Sequence, residues 1–90
     1  MFRPDLLQSK HILITGGGTG LGKGMAQRFL ELGATVYICG RRDEVLNQTA
    51  SELSAKGPIQ AYPCDVRHLD AGEAMIDSIW SAGPLDVLVN

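Results

Sequence analysis

The run Ile12-Leu13-Ile14 leads straight into Thr15-Gly16-Gly17-Gly18-Thr19-Gly20-Leu21-Gly22, a stretch with five glycines in eight positions. No other segment constrains the fold as strongly. Consecutive apolar residues read as a strand buried on both faces. A helical stripe follows, so the loop between them must turn sharply from strand to helix. Glycine permits the positive φ angles of such a turn and removes the Cβ atoms that would keep a ligand from the backbone. The helix beyond offers unpaired N–H groups and the positive end of its dipole. These features predict a phosphate cradle at the end of a buried strand.

The rest of the chain repeats the same alternation. A strand over 11–15 precedes a helix whose apolar stripe runs through Leu21, Met25, Phe29 and Leu32, with Ala26 and Leu30 beside them and Gly33 as its C-cap. Thr35 to Cys39 form a second strand. Asp43 is placed to cap a helix with Leu46, Ala50 and Leu53 inward, ending at Lys56-Gly57-Pro58. Ile59 to Cys64 form a third strand, distorted near Pro63. Leu69, Gly72, Ile76, Ile79 and Trp80 mark a third helical face closed by Gly83-Pro84, and Asp86 to Asn90 a fourth strand.

The order β-α-β-α-β-α-β with short loops predicts an α/β fold of three layers, a parallel sheet with right-handed crossovers between helices. In a doubly wound sheet the fourth strand pairs with the first, beyond the switch point. Its outer edge would then be bare, with neither charge nor proline to blunt it. The chain therefore reads as one partial domain over 1–90, the N-terminal half of a larger fold; a complete small domain is the alternative.

Ninety residues allow one small domain at most. A formal net charge of −2 argues against nucleic acid as a partner. Cys39 and Cys64 have no CxxC or Cys/His spacing, so both are expected as buried free thiols, with no disulfide and no metal. There is no transmembrane run, and Met1-Phe2-Arg3-Pro4-Asp5 has no signal-peptide core, so a soluble, cytoplasmic chain without a membrane partner is expected. His11, His68, Met25 and Trp80 read as structural residues at a strand start, a helix start and core faces.

Three phosphate-loop templates compete. The dinucleotide fingerprint G-x-G-x-x-G fails in each register, because its third glycine would fall on Leu21 or Lys23. The P-loop nearly fits Gly17 to Lys23, but Gly24 stands where a magnesium-binding hydroxyl is needed. The spacing T-G-x-x-x-G-x-G is met by Thr15, Gly16, Gly20 and Gly22. With Gly40-Arg41-Arg42 after the second strand, Cys64-Asp65-Val66 after the third and Asp86-Val87-Leu88-Val89-Asn90 in the fourth, the chain resembles the short-chain dehydrogenase/reductase family along its whole length. Within that family, Gly16 to Met25 and Cys64 to Arg67 look most like 2,4-dienoyl-CoA reductases.

The resemblance implies a Rossmann sheet and a nicotinamide dinucleotide. Gly16 would serve the tight turn, Gly18 the same loop, Gly20 the approach of the pyrophosphate and Gly22 the packing of helix on strand. Thr19 and Leu21 would give backbone N–H groups; Lys23 reads as a solvated side chain. The end of the second strand holds Gly40, where NAD-dependent relatives often carry an acidic residue, followed by Arg41 and Arg42. A guanidinium pairs with a 2′-phosphate, so NADP(H) is expected before NAD(H). Arg42 can instead pair on the surface with Asp43 or Glu44. By resemblance, Asp65 would accept from the adenine amino group beside the backbone of Val66, and Asn90 would open the segment next to the ribose. Asp65 can equally cap the helix at Leu69.

Family members use a Tyr-x-x-x-Lys pair as acid/base. Tyr37 is followed four places on by Arg41 and Tyr62 by Val66, so no catalytic residue is assigned. The resemblance thus implies an NADP(H)-dependent oxidoreductase acting on a small molecule, such as an enoyl or dienoyl acyl-CoA thioester, in a homo-oligomeric parent protein. The chain itself would hold the adenosine and pyrophosphate half of the site and be catalytically silent. A non-enzymatic nucleotide-binding or assembly module is the competing class, and a P-loop phosphotransferase comes third.

Overall fold

Residues 6–16, 20–64 and 69–89 are described by the computed structural model. They form β1 (His11–Thr15), α1 (Gly20–Glu31), β2 (Thr35–Gly40), α2 (Asp43–Leu53), β3 (Ile59–Pro63), α3 (Leu69–Ala82) and β4 (Val87–Val89). The strands make one parallel sheet in the order β3-β2-β1-β4, so the chain reverses its direction of travel across the sheet at β1. The register sets Leu13 beside Tyr37 and Leu88, and Ile14 beside Ile38 and Val89.

Period-two alternation along buried strands divides the apolar side chains between two faces. Ile12, Ile14, Val36 and Ile38 pack against Ala26 and Leu30 of α1 and Leu46 and Leu53 of α2. On the opposite face Leu13, Tyr37 and Cys39 pack against Met75 and Ile79 of α3. This is the three-layer α/β sandwich expected, with fourth strand beside first. Complete burial of each large aliphatic side chain contributes roughly 1.5–3 kcal/mol, and Ile14, Ile38 and Ile79 are all 0% exposed.

Helix α1 closes as its sequence demands. The Gly33 N–H donates to the Leu30 carbonyl and the Ala34 N–H to the Phe29 carbonyl, both at 3.0 Å. That pair of bonds is the Schellman arrangement. Gly33 has φ +98°, and a Cβ there would meet the Gln8 backbone at 3.2 Å. The left-handed conformation calls for glycine, and the close Gln8 backbone favours it further.

Other elements depart from the expectations. Asp43 is not the N-cap of α2: Arg42 holds that position in an extended conformation with no side-chain cap bond, and Asp43 is the first helical residue. Its carboxylate there still meets the positive end of the helix dipole. The same helix ends at Leu53, short of Lys56. Strand β3 ends at Pro63, one residue early, and is only partly buried because it lies at the sheet edge. Trp80 does not join the core but is 53% exposed. The buried stripe of α3 runs through Met75 and Ile79, and the next residue is turned about 100° away. At the other edge, Val87 and Leu88 of β4 are 42% and 53% exposed. Among the described residues no helix is long and apolar enough to cross a membrane.

Candidate nucleotide-binding site

Parallel pairing brings the C-terminal ends of all the strands to one edge of the sheet. There the Gly16 N–H donates to the Cys39 carbonyl at 2.8 Å, and the Cys64 N–H to the Gly40 carbonyl at 2.7 Å. The Thr15 hydroxyl donates to the Val89 carbonyl at 3.3 Å. These bonds tie the start of the glycine loop to β2, the end of β2 to the residue after β3, and β1 to β4. Of the residues expected to bind cofactor, Gly16, Gly20, Leu21, Gly22, Arg41 and Arg42 fall at this edge. Gly18, Thr19, Asp65, Val66 and Asn90 lie outside the described residues.

The glycines on either side of the loop both take left-handed conformations, with φ +72° at Gly16 and +59° at Gly20. Among the described residues, a Cβ added at either would meet nothing within 4 Å. The turn therefore needs glycine for its backbone angles, while no described residue fills the space beside it, which suits a group that approaches the main chain. Gly20 begins α1, so the first N–H groups of that helix have no intrahelical acceptor. Leu21, in the same turn, is 81% exposed, and Gly22 is half-buried.

At the end of β2, Arg41 and Arg42 are both exposed. Among the described residues neither forms an ion pair with Asp43, Glu44 or any other carboxylate. A Cβ at Gly40 would make ordinary contact with Leu46, at 3.7 Å. Packing thus does not forbid a side chain there; what glycine withholds is a carboxylate beside the guanidinium groups. Donors of this kind suit an anionic ligand, and the open glycine turn one strand away suits a second anionic group of the same molecule.

Lys23 is not a free solvated cation. Its ammonium donates to Glu52 Oε2 on α2, while Gln48 Nε2 donates to Glu52 Oε1 at 3.1 Å. The Lys23 bond, then that from Gln48, holds the Glu52 carboxyl below the usual carboxylate range. Sequence reasoning missed this contact because it joins two helices that become neighbours only through the crossovers.

The remaining candidates have structural partners. His11 Nδ1 lies 2.9 Å from the Tyr37 hydroxyl, and the two rings stack at 5.8 Å. Asp86 Oδ2 accepts from the His11 N–H at 2.8 Å. This group sits at the N-terminal end of the sheet, opposite the glycine turn. Burial, then the nearby Tyr62, raises the Tyr37 phenol above its ordinary value. Among the described residues no cluster of three or more His, Cys, Asp or Glu could hold a metal ion.

Both cysteines are free; Cys39 is buried, whereas Cys64 is only half-buried. Burial, then proximity to Cys64, pushes the Cys39 thiol up to about 11. The folded state therefore keeps a proton that the unfolded thiol releases near its reference value of about 8.5. Stability from this group is complete below that value and falls as pH rises toward 11. Denaturant melts at increasing pH should show this loss, and a Cys39→Ala protein should lose less over the same window. Iodoacetamide should label Cys64 before Cys39 at pH 8; equal rates would contradict the difference in burial.

The sequence also matches the family model for short chain dehydrogenases over residues 10–90. The chain belongs to the short-chain dehydrogenase family. It is 37% identical over 86 residues to a probable 2,4-dienoyl-CoA reductase of Bacillus subtilis, covering 93% of this chain and 34% of the relative. A citronellol catabolism dehydrogenase of Pseudomonas aeruginosa superposes with TM-score 0.94 and 36% identity, covering all of this chain and 38% of that one. The NADP complex of RhlG from the same organism gives TM-score 0.87 and 37% identity, covering 99% and 37%. This short-chain dehydrogenase sequence spans about a third of the length of the curated relatives it matches.

Proposed function

We propose that this chain holds the adenosine and pyrophosphate of NADP(H) for a short-chain oxidoreductase that reduces an enoyl or dienoyl acyl-CoA thioester. The observation that carries the cofactor reading is the pair of exposed guanidinium groups after β2, without ion pairs among the described residues and with no side chain at Gly40. Arg41 would engage the 2′-phosphate, with Arg42 beside it. Gly16, Gly18, Thr19, Gly20, Leu21 and Gly22 would receive the pyrophosphate through backbone N–H groups. Asp65 and Val66 would meet the adenine and Asn90 the ribose. The cofactor supplies the hydride; this chain's own residues bind and orient the dinucleotide and move no proton. The thioester class is supported by similarity to the probable dienoyl-CoA reductase. The 90-residue chain alone would turn over no substrate, since neither tyrosine is followed by lysine at the required spacing.

Calorimetric titration with NADPH and NADH tests the cofactor reading. The chain should prefer NADPH, and Arg41→Ala should weaken NADPH by roughly 10- to 100-fold, the range for a lost charge-assisted bond. NADH binding should change little. Equal weakening of both dinucleotides would remove the 2′-phosphate assignment.

A further inference from the structure

The cations near the glycine edge differ in how they are held. Arg41 and Arg42 are exposed and make no ion pair among the described residues. Lys23, in the first turn of α1 and the cation nearest to the glycine loop in sequence, is fastened to Glu52 near the far end of α2. Gln48 sits one helical turn before Glu52 and occupies its second oxygen, so the carboxylate is oriented toward the lysine. Both side chains of the pair stay partly exposed, at 38% and 44%. An exposed pair of this kind adds little to stability. Its effect on where positive charge lies is larger. Long side chains in a helix lean toward the N-terminus, so an unfastened Lys23 can extend toward the loop instead of toward α2.

We infer that Glu52 is a positioning residue that sets the strength of dinucleotide binding, holding the Lys23 ammonium on α2 and away from the pyrophosphate. The inference rests on the reading that the glycine loop receives a dinucleotide. It adds a division of labour to that reading. Among the described residues at this edge of the sheet, the positive charge without an ion pair is that of Arg41 and Arg42, where only a 2′-phosphate benefits from it. The attraction common to NADP(H) and NAD(H) is held down by a carboxylate on another helix. Removing that carboxylate should raise affinity for both dinucleotides by one factor and leave their ratio to Arg41.

The test is a double-mutant cycle on the full chain, read by dissociation constants for NADPH and NADH at low and high salt. Glu52→Gln keeps the side-chain volume and a partner for Gln48, and should tighten both dinucleotides by about three- to fivefold, the scale of one exposed charge pair. The gain should shrink in about 1 M salt, where the screening length falls to roughly 3 Å. Lys23→Met alone should leave both constants unchanged, and Lys23→Met with Glu52→Gln should show no gain. A Glu52→Gln protein that binds no tighter, or a gain that survives in the double variant, overturns the inference. So does a purely structural result, with Glu52→Gln and Lys23→Met lowering the melting temperature equally at constant affinity. If the unaltered chain binds neither dinucleotide, the cofactor reading and this one fall together. If it binds and only the Glu52 effect is missing, the cofactor reading stands.

Discussion

A Gly20→Val protein is expected to lose dinucleotide binding by 100-fold or more while remaining folded. Gly20 opens α1 at φ +59°, a left-handed conformation that a β-branched residue adopts only under strain of about 1–3 kcal/mol. Part of that strain will appear as lower stability. The rest will be relieved by rotation of the loop, which displaces the N–H groups at the start of the helix. The second effect is steric. No described residue lies within 4 Å of a Cβ at Gly20, so valine methyls would project into the volume through which, on the proposed function, a phosphate reaches the backbone. Gly24 in the same helix is the control. It is exposed, a Cβ there also meets no described residue within 4 Å, and its φ is not positive. Gly24→Ala should therefore stabilise the helix by about 0.5–1 kcal/mol through reduced chain entropy and leave binding intact. Thermal melts beside NADPH titration separate the two effects. A folded Gly20→Val protein that binds within about threefold of the original would mean that no phosphate approaches this turn, the scale of strain in a left-handed non-glycine residue, about 1–2 kcal/mol, then being read from the melts alone.

Much of the architecture was legible because it is local. Ile12-Leu13-Ile14 and Val36-Tyr37-Ile38 announce strands buried on both faces, and both are buried throughout. Gly33 announces the end of α1, and its backbone bonds complete that end. What escaped depends on neighbours remote in sequence. The Ile59 strand resembles the others in apolar content, yet it lies at the sheet edge and stays partly exposed. Trp80 falls beside an apolar stripe in sequence but outside it in space. Asp43 has the chemistry of an N-cap, but the chain enters α2 one residue earlier, through Arg42. The same holds at the candidate site. The left-handed backbone at Gly16 and Gly20 could be expected from a glycine-rich turn, whereas the Lys23–Glu52 bond could not. It exists because both crossovers lay their helices on one face of the sheet.

Position in the sheet also governs the second large effect. Ile38→Ala should cost about 3–4 kcal/mol, within the range of about 2–5 kcal/mol for truncating a buried aliphatic side chain. Ile38 is 0% exposed and lies in a strand flanked on both sides, beside Ile14 and Ala61 and beneath the helices of one layer. Strands fixed by ladder bonds cannot close around the missing methyl groups, so the cavity remains. Globular domains hold only about 0.05–0.15 kcal/mol per residue, so this one substitution removes a large share of what a chain of 90 residues possesses. Leu88 belongs to an equally apolar run, yet it is 53% exposed on β4. Leu88→Thr should change stability by less than about 0.5 kcal/mol. The two residues look alike in the sequence, and only the order β3-β2-β1-β4 separates them. Urea unfolding of both variants measures that separation directly. A comparable loss at Leu88 would show that β4 is covered in solution, by further polypeptide or by a second copy of the chain.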